Sequence, residues 1–165
     1  MLGAVFKIFG AAVVLGFALL TIMGYRSFLN KRSEERESFR RMLSAFRDGV
    51  DCFLLPIGKI LEGMKADVGA IAELRRLIKN GDTPASAFDK IRDKLYMGNE
   101  GKEILKGFFS ELGRGYKNGV VTLCESAQRR FDESCNKSDG DDEKNAKLYA
   151  TLIIGGALGI VILFI

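Results

Sequence analysis

The chain has no histidine and only three cysteines among its 165 residues, which excludes several common kinds of chemical site. Histidine is the usual general base of enzymes and the commonest metal ligand. The cysteines at 52, 124 and 135 lack CxxC spacing, which indicates free thiols in a reducing compartment. No nucleophile elbow, phosphate loop or dinucleotide fingerprint is present. We therefore expect a protein that is not an enzyme and holds no cofactor or metal ion.

Charged residues are missing from two long apolar runs, at 8–25 and 148–165. A helix of roughly 20 apolar residues crosses the hydrocarbon core of a bilayer, and each run comes close to that length. The pattern predicts two transmembrane helices around one polar domain. The predicted bounds are 1–25 for the first anchor, 26–147 for the polar domain and 148–165 for the second anchor.

Each run also has an alternative interpretation. Lys7 before the first run suits a signal peptide, but no small-x-small cleavage site closes the run and Arg26 follows it at once. Small residues at 138–140, a polar spacer and the second run suit a glycolipid-anchor signal, and Asn136-Lys137-Ser138 is a glycosylation sequon. We favour two uncleaved anchors over both alternatives.

Basic residues flank the inner end of each run, and they predict its orientation. Lysine and arginine beside a membrane stay in the cytoplasm, so the polar domain is expected there, with the N-terminus and the last residue outside. Some of these side chains are within reach of anionic headgroups, at about 1 kcal/mol each. They also supply most of the net charge of +4, so this charge gives no reason to expect nucleic-acid binding. The flanking residues are Arg26, Lys31, Arg32, Arg36, Arg40, Arg41, Lys144 and Lys147.

Apolar residues in the first half of the polar domain recur at steps of three and four, the spacing of one helix face, and the two-residue alternation of strands is absent. Pro56 predicts a kink or a restart, and a further break is expected near Ala66 or Gly69. The predicted core positions are Phe39, Met42, Leu43, Phe46, Val50, Phe53 and Leu54, then Ile57, Ile60, Leu61, Met64, Val68, Ile71, Leu74, Leu77 and Ile78.

The second half of the polar domain begins at the turn Asn80-Gly81-Asp82-Thr83-Pro84. Asn80 or Gly81 suits a left-handed helix end, Asp82 or Thr83 suits an N-cap, and Pro84 suits a first helical turn. Further ends are expected at 97–99 and 113–115. The segment 138–142 suits either a flexible linker or a weak spot in one helix that runs from the bundle into the membrane, and we slightly favour the linker. The predicted core positions are Ala87, Phe88, Ile91, Leu95, Ile104, Leu105, Phe108, Phe109, Leu112, Val120, Val121, Cys124, Ala127 and Phe131.

Five or six helices of this kind predict an all-α protein, a small antiparallel helical bundle flanked by N- and C-terminal transmembrane helices. Within the second anchor, Gly155, Gly156 and Gly159 form a GxxxG face that lets another transmembrane helix approach closely. Ala12 and Gly16 give the first anchor a weaker version. We expect these faces to pack together in one chain or against another subunit.

Several segments resemble the stage III sporulation protein AB family. They are Phe-Phe-Ser-Glu-Leu-Gly at 108–113, the membrane ending Lys-Leu-Tyr-Ala-Thr-Leu-Ile-Ile-Gly-Gly at 147–156, Pro56, and Thr-Pro-Ala-Ser-Ala-Phe at 83–88. The resemblance covers essentially the whole chain. It implies a bundle similar to the inner-membrane platform protein F of type II secretion and type IV pilus systems.

The resemblance also implies a non-enzymatic adaptor in the channel complex between mother cell and forespore. Its place would be the mother-cell membrane facing the forespore, with the bundle in the cytoplasm. The implied partners are the complex's cytoplasmic ATPase, other stage III membrane subunits and membrane lipids, with no nucleic acid and no small-molecule substrate. A membrane-tethered sensor or lipid-contacting protein is the alternative. The candidate docking residues are Arg40, Arg41, Arg75, Arg76, Arg129 and Arg130.

Overall fold

The computed structural model describes residues 2–53, 57–63, 69–112 and 117–164, which contain helices and turns but no strand. The predicted all-α class is confirmed. The predictions at Leu54, Pro56, Met64, Ala66, Val68 and 113–115 fall outside the described residues, as do those for the side chains of Val50, Phe53 and Ile57. The helices are α1 (Leu2–Phe53), α2 (Ile57–Gly63), α3 (Gly69–Lys79), α4 (Pro84–Arg92), α5 (Asn99–Glu111) and α6 (Lys117–Phe164).

The chain divides into two compact units, and helices α1 and α6 contribute to both. Unit 1 comprises Met1–Asn30 and Asp139–Ile165, and unit 2 comprises Lys31–Ser138. Unit 1 thus includes some polar residues that lie outside the predicted anchors. The predicted membrane bounds at 25 and 148 stay a prediction.

Helices α1 and α6, which both contribute to unit 1, are long and apolar enough to cross a membrane, and their most apolar 18-residue stretches have mean hydropathies of 1.7 and 1.6. Ala18 and Ala157 are buried, and the Tyr25 and Tyr149 rings lie 5.0 Å apart. Partly buried residues at steps of three and four extend this seam in both helices: Ala11, Val14, Ile22, Tyr25, Ala146, Ala150, Ile153 and Val161. Most of the other apolar side chains are exposed, as in a helix pair that faces lipid.

Unit 2 has a single hydrophobic core to which each of its helical segments contributes. Phe88 stacks on Phe109 with a centroid distance of 5.0 Å, and Phe39 and Phe108 meet this pair edge-on. The periodicity therefore located the core correctly at these positions. Buried residues that the stripes predicted include Met42, Leu43, Phe46, Leu61, Leu74, Leu105, Cys124 and Phe131.

The first and last helical segments of unit 2 run antiparallel. Arg32 and Arg36 of α1 contact Ser138 of α6, whereas Arg47, further along α1, contacts Gln128, earlier in α6. Residue numbers that rise along one helix therefore meet numbers that fall along the other. The start and the end of the bundle's chain consequently lie together.

The turn at 80–84 forms as its sequence predicts. Gly81 has φ of 98°, a left-handed conformation that glycine adopts without steric cost. Thr83 is the N-cap of α4, where its Oγ1 accepts a hydrogen bond from Ser86 N at 3.3 Å, and Pro84 begins the first turn.

The segment 138–142 is helical, so the prediction of a flexible linker is wrong. Helix α6 continues through it to Phe164. Just beyond, the Glu143 carboxylate accepts a 2.7 Å hydrogen bond from Lys147, an i,i+4 ion pair of the kind that supports an exposed helix. Composition alone favoured a linker because aspartate and glycine have low helix propensity, but propensity is only a weak guide to the structure of a single short segment.

Candidate functional site

A buried glutamate ties α1 to the segment between α4 and α5. Glu35 is only 4% exposed, and its two carboxylate oxygens accept hydrogen bonds from Tyr96 N at 3.0 Å and Met97 N at 2.9 Å. Glu35 lies four residues before Phe39, on the helix face that continues into the core. Both backbone donors are thereby satisfied where the chain leaves α4 and has not yet entered α5.

The environment of Glu35 has opposing electrostatic effects. Burial is the largest, and it raises the pKa of the Glu35 carboxyl above its usual value. The hydrogen bonds from Tyr96 and Met97 and the positive charges of Lys102 and Arg36 act in the other direction without cancelling the effect of burial. Because each carboxylate oxygen already accepts a hydrogen bond from a backbone N–H group, the arrangement suits a structural connection rather than proton transfer to a substrate.

Two arginines join the beginning and the end of unit 2. Arg32 Nη2 and Arg36 Nη2 donate hydrogen bonds to Ser138 Oγ at 3.0 and 2.8 Å. Arg36 is buried, with 3% of its surface exposed. We call these three residues the arginine clamp. Since Lys31 and Ser138 are the first and last residues of unit 2, the clamp fixes the two chain ends of the bundle to each other.

A groove of about 350 Å³ lies beside Glu35. Its walls carry charges of both signs, including Lys31, Lys94 and Glu73, and its apolar surface includes Ile91. Lys31 Nζ lies 5.8 Å from the centroid of the Tyr96 ring, a cation–π contact that holds this wall of the groove. Nowhere in the described residues do three or more acidic or cysteine side chains cluster as a metal site requires.

The arginines predicted for docking differ in how they are engaged. Arg40 donates to Asp132 at 2.8 Å and to Asn136 at 3.1 Å, so it contributes to packing between α1 and α6. Arg41 is exposed, and its guanidinium lies at a long 3.5 Å from Ser38 Oγ on the same helix. Arg40 is therefore less available to a partner than its sequence neighbour.

The other two arginine pairs lie on different helices. Arg76 of α3 is exposed and forms a two-point ion pair with Glu73, at 2.6 and 2.8 Å, while Arg75 is partly buried. Arg129 and Arg130 of α6 are exposed, and within the described part of the chain neither forms an ion pair. Among the predicted pairs, 129–130 is thus the most available to a partner.

The small residues predicted for membrane-helix packing are exposed. Gly155, Gly156 and Gly159 are solvent-accessible, and a Cβ atom built on any of them meets nothing within 4 Å. Ala12 and Gly16 are exposed as well. The seam of unit 1 uses Ala18 and Ala157 instead, and the glycine face is uncovered within the described residues.

Sequence reasoning missed Glu35, Arg36 and Ser138, although a signal for the glutamate was present. Counting back from Phe39 by one turn places Glu35 on the core face, where a charged residue needs partners. Nothing in the local sequence identifies those partners, because they come from residues about 60 and 100 positions further along the chain.

Residues 7–165 match the family model of stage III sporulation protein AB. The match spans nearly the whole chain, both units included. Neither a curated protein nor a solved structure shows significant similarity to the chain.

Proposed function

Since the chain belongs to the stage III sporulation protein AB family and its role is in sporulation, we propose that it is a membrane platform of the stage III channel complex. In this proposal the bundle docks the complex's cytoplasmic ATPase, and the anchors contact other membrane subunits. It acts by binding and not by catalysis. Its place is the mother-cell membrane facing the forespore.

The arginine clamp is the observation that carries the platform role. The chain enters the bundle at Lys31 and leaves it at Ser138, and Arg32 and Arg36 hold these two ends together. Arg36 and Ser138 lie in the bundle itself, so the connection does not depend on the anchors. A bundle whose two chain ends are joined in this way suits the transmission of force between a soluble motor and membrane subunits.

The basic collar supports the proposed orientation. Arg26, Lys31 and Arg32 follow the first apolar run, and Lys144 and Lys147 precede the second. Positive residues at both inner flanks favour a cytoplasmic bundle, which is the side on which an ATPase has access to it.

Charge reversal at Arg129 and Arg130 tests the docking proposal. We expect Arg129→Glu with Arg130→Glu to weaken binding of the full chain in detergent micelles to the ATPase by about tenfold, since rim charges steer and stabilise such contacts. A double variant of Arg75 and Arg76 examines the second surface in the same assay. The measurement is a binding titration at low and high salt.

A matched control for these variants is Lys137→Glu with Lys144→Glu, which makes the same change of net charge at exposed positions of α6. Its binding should stay within about twofold of the original chain, because it leaves both arginine pairs intact. ATPase binding that is unaffected by reversal of either arginine pair would contradict the docking proposal.

Leucine at Gly155 or Gly159 tests packing of the open glycine face. Because an added Cβ meets nothing within the described structure, Gly155→Leu should leave the chain's own fold intact and weaken association with a partner membrane helix several-fold. Gly24→Leu is the control, since its Cβ position is equally open and lies outside a GxxxG pair. Crosslinking yield or co-purification of membrane subunits gives the measurement, and equal yields for the variants and the control would refute the packing.

A further inference from the structure

Unit 1 has a cavity of about 270 Å³ that contains both charged and apolar side chains. Arg26, Lys147 and Glu143 supply the charges, and Ile22 and Ile153 supply apolar surface. The rings of Tyr25 and Tyr149, 5.0 Å apart, also line it. The cavity therefore has the two kinds of surface that an amphipathic ligand needs.

The order of these residues along the chain follows the expected membrane boundary. Arg26 is the first residue after one apolar run, and Lys147 is the last before the other. The isoleucines lie within the runs, and Tyr25 and Tyr149 lie at their ends. Tyrosine rings are enriched at headgroup depth, with the hydrocarbon region on one side and basic residues on the other. A lipid beside these helices would present its phosphate to the charged part of the cavity and its acyl chain to the apolar part.

The charges of the cavity favour an anion. Arg26 is exposed and makes no ion pair within the described part of the chain. Lys147 contacts Glu143 at 2.7 Å, but their side chains are 76% and 70% exposed, and such surface pairs contribute only about 0–1 kcal/mol. An ammonium group has three donors, so Lys147 can hold Glu143 and a phosphate oxygen together. Two positive charges against one negative charge leave the cavity with an excess of one positive charge.

We propose that this cavity binds one anionic glycerophospholipid from the surrounding leaflet. Arg26 and Lys147 hold its phosphodiester, the two tyrosines contact the glycerol region, and an acyl chain lies along Ile22 and Ile153. Its volume suits the phosphate and glycerol part of a lipid, and the acyl chains continue along the exposed apolar surface of the helices. This site is separate from the docking residues on unit 2, and it does not require an ATPase partner.

Titration of the full chain in neutral detergent micelles with fluorescent phosphatidylglycerol measures this binding directly. Arg26→Gln with Lys147→Gln should weaken binding at least tenfold, because both phosphate contacts are lost. Glu143→Gln should tighten it two- to threefold by removing the competing carboxylate. Ala150→Phe should weaken binding with all charges retained, because its ring occupies the cavity, and circular dichroism should show unchanged helix content.

A second pair of lysines separates a built site from a generally basic surface. Lys137→Gln with Lys144→Gln removes the same charge outside the cavity and should change affinity less than twofold. An equal loss in this control, or equal binding of phosphatidylcholine, would overturn the proposal. Full competition by glycerol phosphate at the lipid's own concentration would also overturn it, since that result identifies a site for small soluble anions.

Discussion

Phe88→Ala is expected to lower the free energy of unfolding of unit 2 by about 3–5 kcal/mol. The Phe88 side chain is fully buried, stacked on Phe109 at 5.0 Å and met edge-on by Phe39 at 6.3 Å. Truncation removes these contacts and leaves a cavity where α4 and α5 pack. Because domains of this size are stable by only about 5–15 kcal/mol, the loss is a large share of the total.

Urea unfolding of the full chain in detergent micelles, followed by circular dichroism, measures this loss for the polar bundle. Phe88→Leu should cost distinctly less, since it keeps most of the buried apolar volume. Tyr96→Ala removes a ring that is 44% exposed and should cost less than about 1 kcal/mol. Equal losses for Phe88→Ala and Tyr96→Ala would mean that the aromatic cluster is not the centre of the core.

Glu35→Ala should lower the stability of unit 2 by about 2–3 kcal/mol at neutral pH. The substitution leaves the N–H groups of Tyr96 and Met97 without their acceptor, and an unsatisfied buried donor costs about 1–3 kcal/mol. Glu34→Ala is the control, since Glu34 is the exposed neighbour on the same helix, and it should change stability by less than about 0.5 kcal/mol. Equal effects at 34 and 35 would contradict the connecting role of Glu35.

The raised pKa of Glu35 gives this comparison a pH dependence of known sign. The folded chain holds the Glu35 proton more tightly than the unfolded chain. This titration therefore contributes stability that is fully present below pH 4.5, the ordinary pKa of a glutamate carboxyl. That contribution is lost as the pH rises through the folded-state pKa. The original chain should therefore lose stability relative to Glu35→Gln between acidic and neutral pH, and a constant difference would show that burial does not dominate at this site.

Local patterns predicted the parts of the fold that depend on nearby residues. The stripe through Phe39, Met42 and Phe46 identified a buried helix face, because that spacing is sufficient to place side chains on one side of a helix. The turn at Gly81 and Thr83 was equally predictable, since its geometry needs a left-handed residue followed by a hydroxyl cap.

Long-range contacts were not predictable in the same way. From the sequence, Arg36 was expected to be one of the basic residues beside the membrane. In the structure its side chain is buried against Ser138, 102 residues away. Arg40 was likewise expected to face solvent, but it forms an ion pair with Asp132. A charged residue on a helix is assigned to the surface by default, and only the tertiary fold shows which residues are paired inside.

The arginine clamp and the glycine face have separate roles in this account. Ser138 and its two arginines hold the bundle's chain ends together, while Gly155 and Gly159 leave one surface of α6 open in the anchor region. Variants of each should therefore have distinguishable effects. Loss of the clamp should loosen the bundle, and leucine in the glycine face should affect only assembly.

Topology mapping tests most directly the claim that a cytoplasmic platform is held by two anchors. In a chain whose own cysteines are replaced by alanine, Glu100→Cys places a thiol at an exposed position of α5, and a second variant carries a cysteine after Ile165. A membrane-impermeant maleimide applied to intact spheroplasts of non-sporulating cells that express the chain should label the terminal cysteine and should reach Glu100→Cys only after permeabilisation. Labelling of Glu100→Cys in intact spheroplasts would contradict the account.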